Sequence, residues 1–225
     1  MFKANYKIIF LGKKDCLYTK RALDFCRKNF REVRVYLGKW GEIFPAEAYR
    51  WKGDYLISYL SCWKISEQLI KKARIAAINF HAAPPEYRGI GCNFALYHLA
   101  KEYGVTCHHI DQRFDSGKIV AVERFPILSS DKVETLLART YDRQLNMFFG
   151  IMNLIAEGKK LPESKEKWSK KLYTRKDVNS LRRISCDMSK KEISKRIRAT
   201  DYSNWKPFIN LNGFIFEYAG WASSC

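Results

Sequence analysis

Asn79, His81 and Asp115 are three residues whose types, taken together, can move protons and stabilise a negatively charged oxygen. An asparagine amide donates a hydrogen bond to an oxyanion without carrying a charge of its own that must be desolvated. An imidazole titrates close to neutrality, so His81 can take a proton from an attacking group and return it. A carboxylate such as Asp115 can orient that imidazole, raise its basicity and relay protons. Each residue also has an ordinary alternative: Asn79 bonded to local backbone, His81 as a hydrogen-bonded core group, Asp115 as the start of an Asp-Ser-Gly turn. The order favours chemistry, because Asn79 and His81 stand two residues apart and Asp115 follows the next apolar run.

The elements that must position these residues are legible from periodicity. Ala76–Asn79 is a short apolar run fit for a buried strand, which places Asn79 and His81 at its carboxyl end, where open α/β sheets bind ligands. GVTCHHI (Gly104–Ile110) and KIVAVERFPI (Lys118–Ile127) are two further strands flanking the Asp115 loop. Ahead of them, YKIIFLGKK reads as a first strand and LYTKRALDFCRKN as the helix after it. EVRVYL and YLISYLS read as strands, and SEQLIKKA as a short helix. This βαβ order predicts an α/β domain with a mostly parallel sheet and right-handed crossovers. Asn93–Glu102 is expected to be a helix capped by Asn93, and Ser130 to about Glu157 one long helix with its apolar residues three and four apart. Irregular sequence then begins, and a boundary is expected near Gly158, dividing 1–158 from 159–225. In the second part, Ser189-Lys190-Lys191-Glu192 opens a capped helix, and FINL and FIFEY flank Asn212-Gly213 as a β-hairpin. That hairpin is apolar enough to need a partner surface: it either covers the main domain or builds a homodimer.

The ordered set Asn79-Phe80-His81, PEYRG (Pro85–Gly89), Gly104-Val105-Thr106 and Asp115-Ser116-Gly117 resembles folate-dependent formyltransferases, most closely the nucleotide-sugar N-formyltransferase branch. The resemblance spans about Ala76 to Pro126. It implies a Rossmann-like formyltransferase fold with a small C-terminal helix-plus-hairpin element. It implies that Asn79, His81 and Asp115 are catalytic, that 10-formyltetrahydrofolate is the donor, with Ser58, Ile110 and Asp111 contacting it, and that no metal takes part. The acceptor it implies is the amine of a nucleotide-linked sugar, first a dTDP-linked 4-amino-4,6-dideoxyglucose. Glycinamide ribonucleotide is the runner-up, although GKKDC and HAAPPE replace the loops usual in that branch. Methionyl-tRNA comes third, since that branch carries a C-terminal barrel larger than residues 159–225 can hold. A different class is a basic binding module that keeps the fold without activity, and an incomplete triad would have favoured it.

Four more residues are candidates for substrate contact. Tyr87 and Arg88 lie in a proline-stiffened loop before the site, free to meet a hydroxyl or phosphate, with a surface turn as the alternative. Lys13 and Lys14 follow the first strand where loop amides and a helix start favour anions, without any glycine-rich fingerprint. His108 matches a histidine frequent in the family's strand, while His109 must face the opposite side.

Composition bounds the rest. A chain of 225 residues, 47% hydrophobic and 15% aromatic, can bury roughly 70% of its unfolded surface and is not disordered. No apolar run approaches a membrane span, and a cytoplasmic location is expected. Seven cysteines, Cys225 the last of them, without a Cys-x-x-Cys pair argue for reduced thiols, with Cys92 and Cys107 as packing residues. The net charge of +18 fits a solvated surface first, a phosphate-bearing substrate second and RNA third.

Overall fold

The computed structural model describes residues 3–203 and 205–220; Cys225 lies outside the described residues. The main body runs β1 (Ala4–Lys13), α1 (Leu17–Asn29), β2 (Phe30–Gly38), β3 (Gly53–Tyr59), α2 (Glu67–Ile70) and β4 (Ala73–His81). It continues with β5 (Arg88–Gly89), α3 (Gly91–Tyr97), β6 (Glu102–His109), β7 (Ile119–Pro126) and α4 (Val133–Ala156). The remainder comprises β8 (Leu172–Tyr173), α5 (Arg175–Arg182), β9 (Arg183–Ile184), α6 (Lys190–Thr200), β10 (Phe208–Leu211) and β11 (Phe214–Glu217).

The central sheet has the order β2-β1-β3-β4-β6-β7. The three pairings that join β2, β1, β3 and β4 are parallel, as the βαβ order predicts. The pairings of β6 with β4 and β7 are antiparallel. Both faces of the parallel strands are covered, so Ile8 and Phe10 enter one core and Ile9 and Leu11 another. On the first face α1 and α4 pack, with Phe148 fully buried against Phe10, Tyr59 and Phe80. Burying a side chain of that size contributes roughly 1.5–3 kcal/mol.

Two elements differ from the periodic reading. Helix α3 starts at Gly91 and ends at Tyr97, so Asn93 does not cap it. Asn93 is buried within the helix and donates Nδ2–H to the Ala199 carbonyl of α6 at 2.7 Å. Leu99 then takes a left-handed conformation (φ 55°), and Glu102 already belongs to β6. At the C-terminus, the hairpin is part of a three-stranded sheet, because β9 pairs in parallel with β10. Asn212 and Gly213 both have positive φ, as a tight hairpin turn of this kind demands.

Residues after Gly158 pack on the main body. Val178, Leu181 and Ala199 share one buried cluster with Ala83, Phe94, Tyr103 and Leu136. Ser189 caps α6 by accepting from the Glu192 amide, while the Glu192 carboxylate is used elsewhere, by Tyr97 Oη–H at 2.8 Å and Arg196 Nε–H at 2.6 Å. The C-terminal stretch is thereby fastened to α3, directly behind the candidate site.

Candidate active site

The carboxyl end of β4 delivers Asn79 and His81 to one face, with Phe80 between them turned into the core. Strand β6 runs alongside, and its pairing sets Asn79 opposite His108. The Asn79 Nδ2 atom is 3.1 Å from His108 Nε2, and His108 Nδ1 is 2.8 Å from the His109 carbonyl. A carbonyl only accepts, so Nδ1 carries the proton and Nε2 receives one amide N–H of Asn79. The second N–H of that amide remains available to a ligand.

Asp115 reaches the same place from the β6–β7 loop. The loop doubles back at Gly117, where a Cβ would lie 1.8 Å from the His109 carbonyl oxygen, so no larger residue fits. Asp115 Oδ1 stands 3.5 Å from His81 Nδ1 and 3.6 Å from His108 Nε2, while Oδ2 accepts from the Gly89 amide at 3.2 Å. Gly89 is itself required, with φ of 79° and a would-be Cβ 2.4 Å from the Tyr173 carbonyl. Burial works against the Asp115 charge, but His81, His108 and the Gly89 amide outweigh it and hold its pKa at about 2.

His81 is shifted the other way. Burial lowers its pKa, and the neighbouring Asp115 charge only partly opposes this. The imidazole is therefore neutral at pH 7, with Nδ1 toward Asp115 and a buried Nε2 that has no hydrogen-bond partner. An unpartnered neutral imidazole nitrogen at a pocket floor is a proton acceptor in waiting.

Above this floor lies a pocket of about 620 Å³. Its walls are aromatic, with Trp40, Trp63, Phe114, Tyr141 and Tyr173, and four cations stand around it: Lys13, Lys64, Arg113 and Arg175. Among the described residues, none of the four is ion-paired with a carboxylate. Lys64 and Arg175 instead lie over the Phe114 and Trp40 rings, at 5.7 and 4.7 Å. No group of three or more His, Cys, Asp or Glu residues is placed to hold a metal among the described residues.

Of the residues singled out in the sequence, Lys13, Ser58, Asn79, His81, Ile110, Asp111 and Asp115 line this pocket. Lys14, Tyr87 and Arg88 are not among its lining. Lys14 is exposed beside the β2 end, its amide bonded to the Gly38 carbonyl. The Tyr87 ring stacks on Tyr173, 6.0 Å between centroids, and lies 6.1 Å from Tyr103. Arg88 is occupied by the protein, donating to the Phe114 carbonyl at 2.6 Å and the Ser169 carbonyl at 3.4 Å. Tyr87 and Arg88 thus brace the pocket from outside its lining. Cys92 and Cys107 are buried, and burial pushes both thiols up, so neither is a ready nucleophile.

Sequence reasoning missed Trp40, Arg175 and above all Trp168, whose ring lies against His108 and His81. Trp168 sits in GKKLPESKEKW, which has no periodicity, so no pattern signals its position. A buried amide–imidazole–carboxylate set thus lies under a pocket at the carboxyl ends of the parallel strands of a mixed sheet. Residues 54–151 match the model of the Formyl transferase family. The resemblance carried by Asn79-Phe80-His81, PEYRG and the Asp-Ser-Gly loop is thereby borne out.

At the sequence level, the chain is 29% identical over 141 residues to a methionyl-tRNA formyltransferase of Dictyoglomus thermophilum, covering 60% of this chain and 44% of that protein. It spans about half the length of the curated relatives it matches. Among solved structures, a 4-N formyltransferase from Francisella tularensis superposes with TM-score 0.78 at 17% identity, covering 95% of this chain and 96% of that one. An N-formyltransferase from Helicobacter canadensis, in complex with folinic acid and dTDP-3-aminofucose, superposes with TM-score 0.70 at 20% identity, covering 92% and 84%. Identities this low establish a shared fold.

Proposed function

We propose that this chain transfers a formyl group from 10-formyltetrahydrofolate to the amine of a nucleotide-linked amino sugar, with dTDP-4-amino-4,6-dideoxyglucose the first candidate. The observation that carries the reading is that four cations, none ion-paired among the described residues, line a concave aromatic pocket whose floor holds Asn79, His81 and Asp115. Such cations suit the charge of a diphosphate, and an aromatic wall suits a nucleobase. The Helicobacter canadensis neighbour, which holds a nucleotide sugar and a folate, supports the same pairing of substrates.

The donor supplies an activated formyl group. The pocket suits its flat ring system in the apolar part formed by Leu60, Ile65 and Ile110, edged by Ser58 and Asp111. His81 Nε2 accepts the proton of the attacking amine, which must be neutral to attack. Asp115, ionised down to about pH 2, steadies the imidazolium that forms. The free amide N–H of Asn79 donates to the developing oxyanion. When the tetrahedral intermediate collapses, the bond from the formyl carbon to N10 of the folate breaks, and the proton held by His81 passes to that leaving nitrogen. Within this reading residues 1–158 form the catalytic domain and 159–225 an appendage. The exposed Phe214 and Phe216 of the hairpin, 72% and 56% accessible, make its apolar face the contact of a homodimer. No helix among the described residues is long and apolar enough to cross a membrane. The six described cysteines are free thiols, which fits a cytoplasmic enzyme.

The test compares one amino sugar with and without its nucleotide, using 10-formyltetrahydrofolate and following formylation by mass spectrometry. Turnover of the nucleotide-linked form alone is expected. Equal turnover of the free sugar would show that the cationic rim does not read phosphate and would sink this assignment.

A further inference from the structure

The stretch between α4 and β8 has no regular secondary structure, yet it is fastened at several points across the candidate site. The Ser164 amide donates to the Ile119 carbonyl at 3.1 Å, and the Ser169 amide to the Pro85 carbonyl at 3.0 Å. Arg124 of β7 clasps Glu166 of this strap together with Glu86 of the loop before β5, at 2.5 and 3.0 Å. Lys118 pairs with Glu163 at 2.7 Å. These ties hold Trp168 against His81 and His108, outside the lining of the pocket itself.

One side chain there meets all three supports of the proton-handling set. The Trp168 ring meets His108 nearly edge to face, 4.9 Å between centroids at 86°, and lies 5.8 Å from His81 at 62°. Its Nε1–H donates to the Gly117 carbonyl at 2.7 Å, two residues beyond Asp115 in the loop that must turn back on itself. Aromatic edges fix the planes of the imidazoles, and the hydrogen bond fixes the height of the loop.

We propose that Trp168 is a positioning residue: it seats the His81 and His108 rings and the Asp115 loop, and it keeps water from the polar atoms between them. The kinetic consequence rests on the function proposed above, whereas the seating of His81 does not. The titratable and charged groups facing His81 are Asp115, His108 and Arg88, and burial is the largest influence on it. Removing the indole opens that burial, so His81 should titrate higher, toward an ordinary imidazole. Its acid limb in the pH–rate profile should rise with it. Trp168→Phe keeps an aromatic ring but loses the five-membered part of the indole with its N–H.

The experiment measures the His81 midpoint by NMR in wild type, Trp168→Ala and Trp168→Phe, assigning the resonance with His81→Gln. It also measures kcat and KM for the accepted sugar nucleotide against pH. In Trp168→Ala the His81 midpoint should move up, and kcat should fall about 100-fold, as a misplacement near 1 Å typically causes, with KM little changed. Trp168→Phe should keep the wild-type midpoint and recover most of kcat. If Trp168→Ala does not fold, Trp168→Leu takes its place, with the same expected direction. An unmoved His81 midpoint in the folded Ala or Leu variant overturns the proposal whatever the turnover. If the midpoint moves but wild type formylates no sugar, the reading of function fails while the seating of His81 by Trp168 stands.

Discussion

The two ends of the parallel strands β1, β3 and β4 carry cavities of nearly equal size and opposite character. At the carboxyl end is the pocket of about 620 Å³ over Asn79, His81 and Asp115. At the amino end is a cleft of about 640 Å³ lined by Lys7, Lys52, Lys71, Lys72 and Arg74 around Asp54. In the cleft most charges are already matched. Asp54 takes Arg74 at 2.6 Å and the Lys7 amide at 2.9 Å, Lys71 pairs with Glu67, and Lys72 donates to the Tyr49 carbonyl. In the pocket the matching is deliberately incomplete, with an orphan imidazole nitrogen and cations resting on aromatic rings. Volume and positive charge are common to both cavities. Buried groups left without partners are what mark a site, and they lie where strand ends and loops converge.

The comparison breaks most sharply at the pocket floor. Asn79→Ala and His81→Ala should each lower turnover by about two to four orders of magnitude, the usual loss for an oxyanion donor or a general base. Binding of the nucleotide sugar, followed by calorimetry, should survive both changes. Wild-type turnover in either variant would leave that residue as structure only.

Asp115→Asn comes next, keeping size and turn geometry but removing the charge. Turnover should fall and the pH–rate profile should change, because His81 loses the anion that favours its protonated state. An unaltered rate and profile would reduce Asp115 to a turn residue. The signs of the pH dependence follow from the same contacts. Asp115 is held at about 2 against an ordinary 3.8, so its contribution to stability is full above pH 4 or so and is lost as the pH falls toward 2. The depressed His81 is protonated sooner in the unfolded chain, so stability also declines as the pH drops below the ordinary imidazole range, roughly 6.5. Urea unfolding from pH 8 to pH 3 should show both declines, and Asp115→Asn should remove the lower one.

At the amino end the effects should be small and of another kind. Asp54→Ala strips partners from the Lys7 amide and Arg74 and should cost roughly 1–3 kcal/mol of stability, read from denaturant melts. Turnover per folded molecule should not change. Lys52→Ala should do almost nothing to either quantity. Lost turnover in these variants, with the fold intact, would mean that the two ends are coupled in a way the matched charges do not suggest.

Much of this contrast is legible in the sequence because it depends on local order. The apolar run before Asn79 gives the strand, its period of two puts Asn79 and His81 on one face, and Asp-Ser-Gly gives the loop. Strand direction is not legible, since GVTCHHI is a buried run in either sense, and β6 is antiparallel to β4. Asn93 reads as a helix cap by residue type, but its amide is needed by the distant Ala199 carbonyl. Tyr87 and Arg88 look free in a short loop because their partners, Tyr173 and Ser169, lie far along the chain. Trp168 is hidden for the same reason, in a segment held by long-range hydrogen bonds and ion pairs, not by periodicity.

The charge of +18 and the methionyl-tRNA formyltransferase relatives set the most direct test of the central claim, because they favour a different acceptor for the same chemistry. Purified protein is given 10-formyltetrahydrofolate together with a dTDP-linked 4-amino sugar and aminoacylated initiator tRNA in one vessel, at low and at physiological salt. A tRNA contact neutralises many phosphates and weakens steeply with salt, whereas a diphosphate involves few charges and a shallow slope. The account predicts a formylated sugar nucleotide, an unmodified tRNA and only a mild fall in efficiency as salt rises. Formylated tRNA beside an untouched sugar, with activity collapsing in salt, would contradict it.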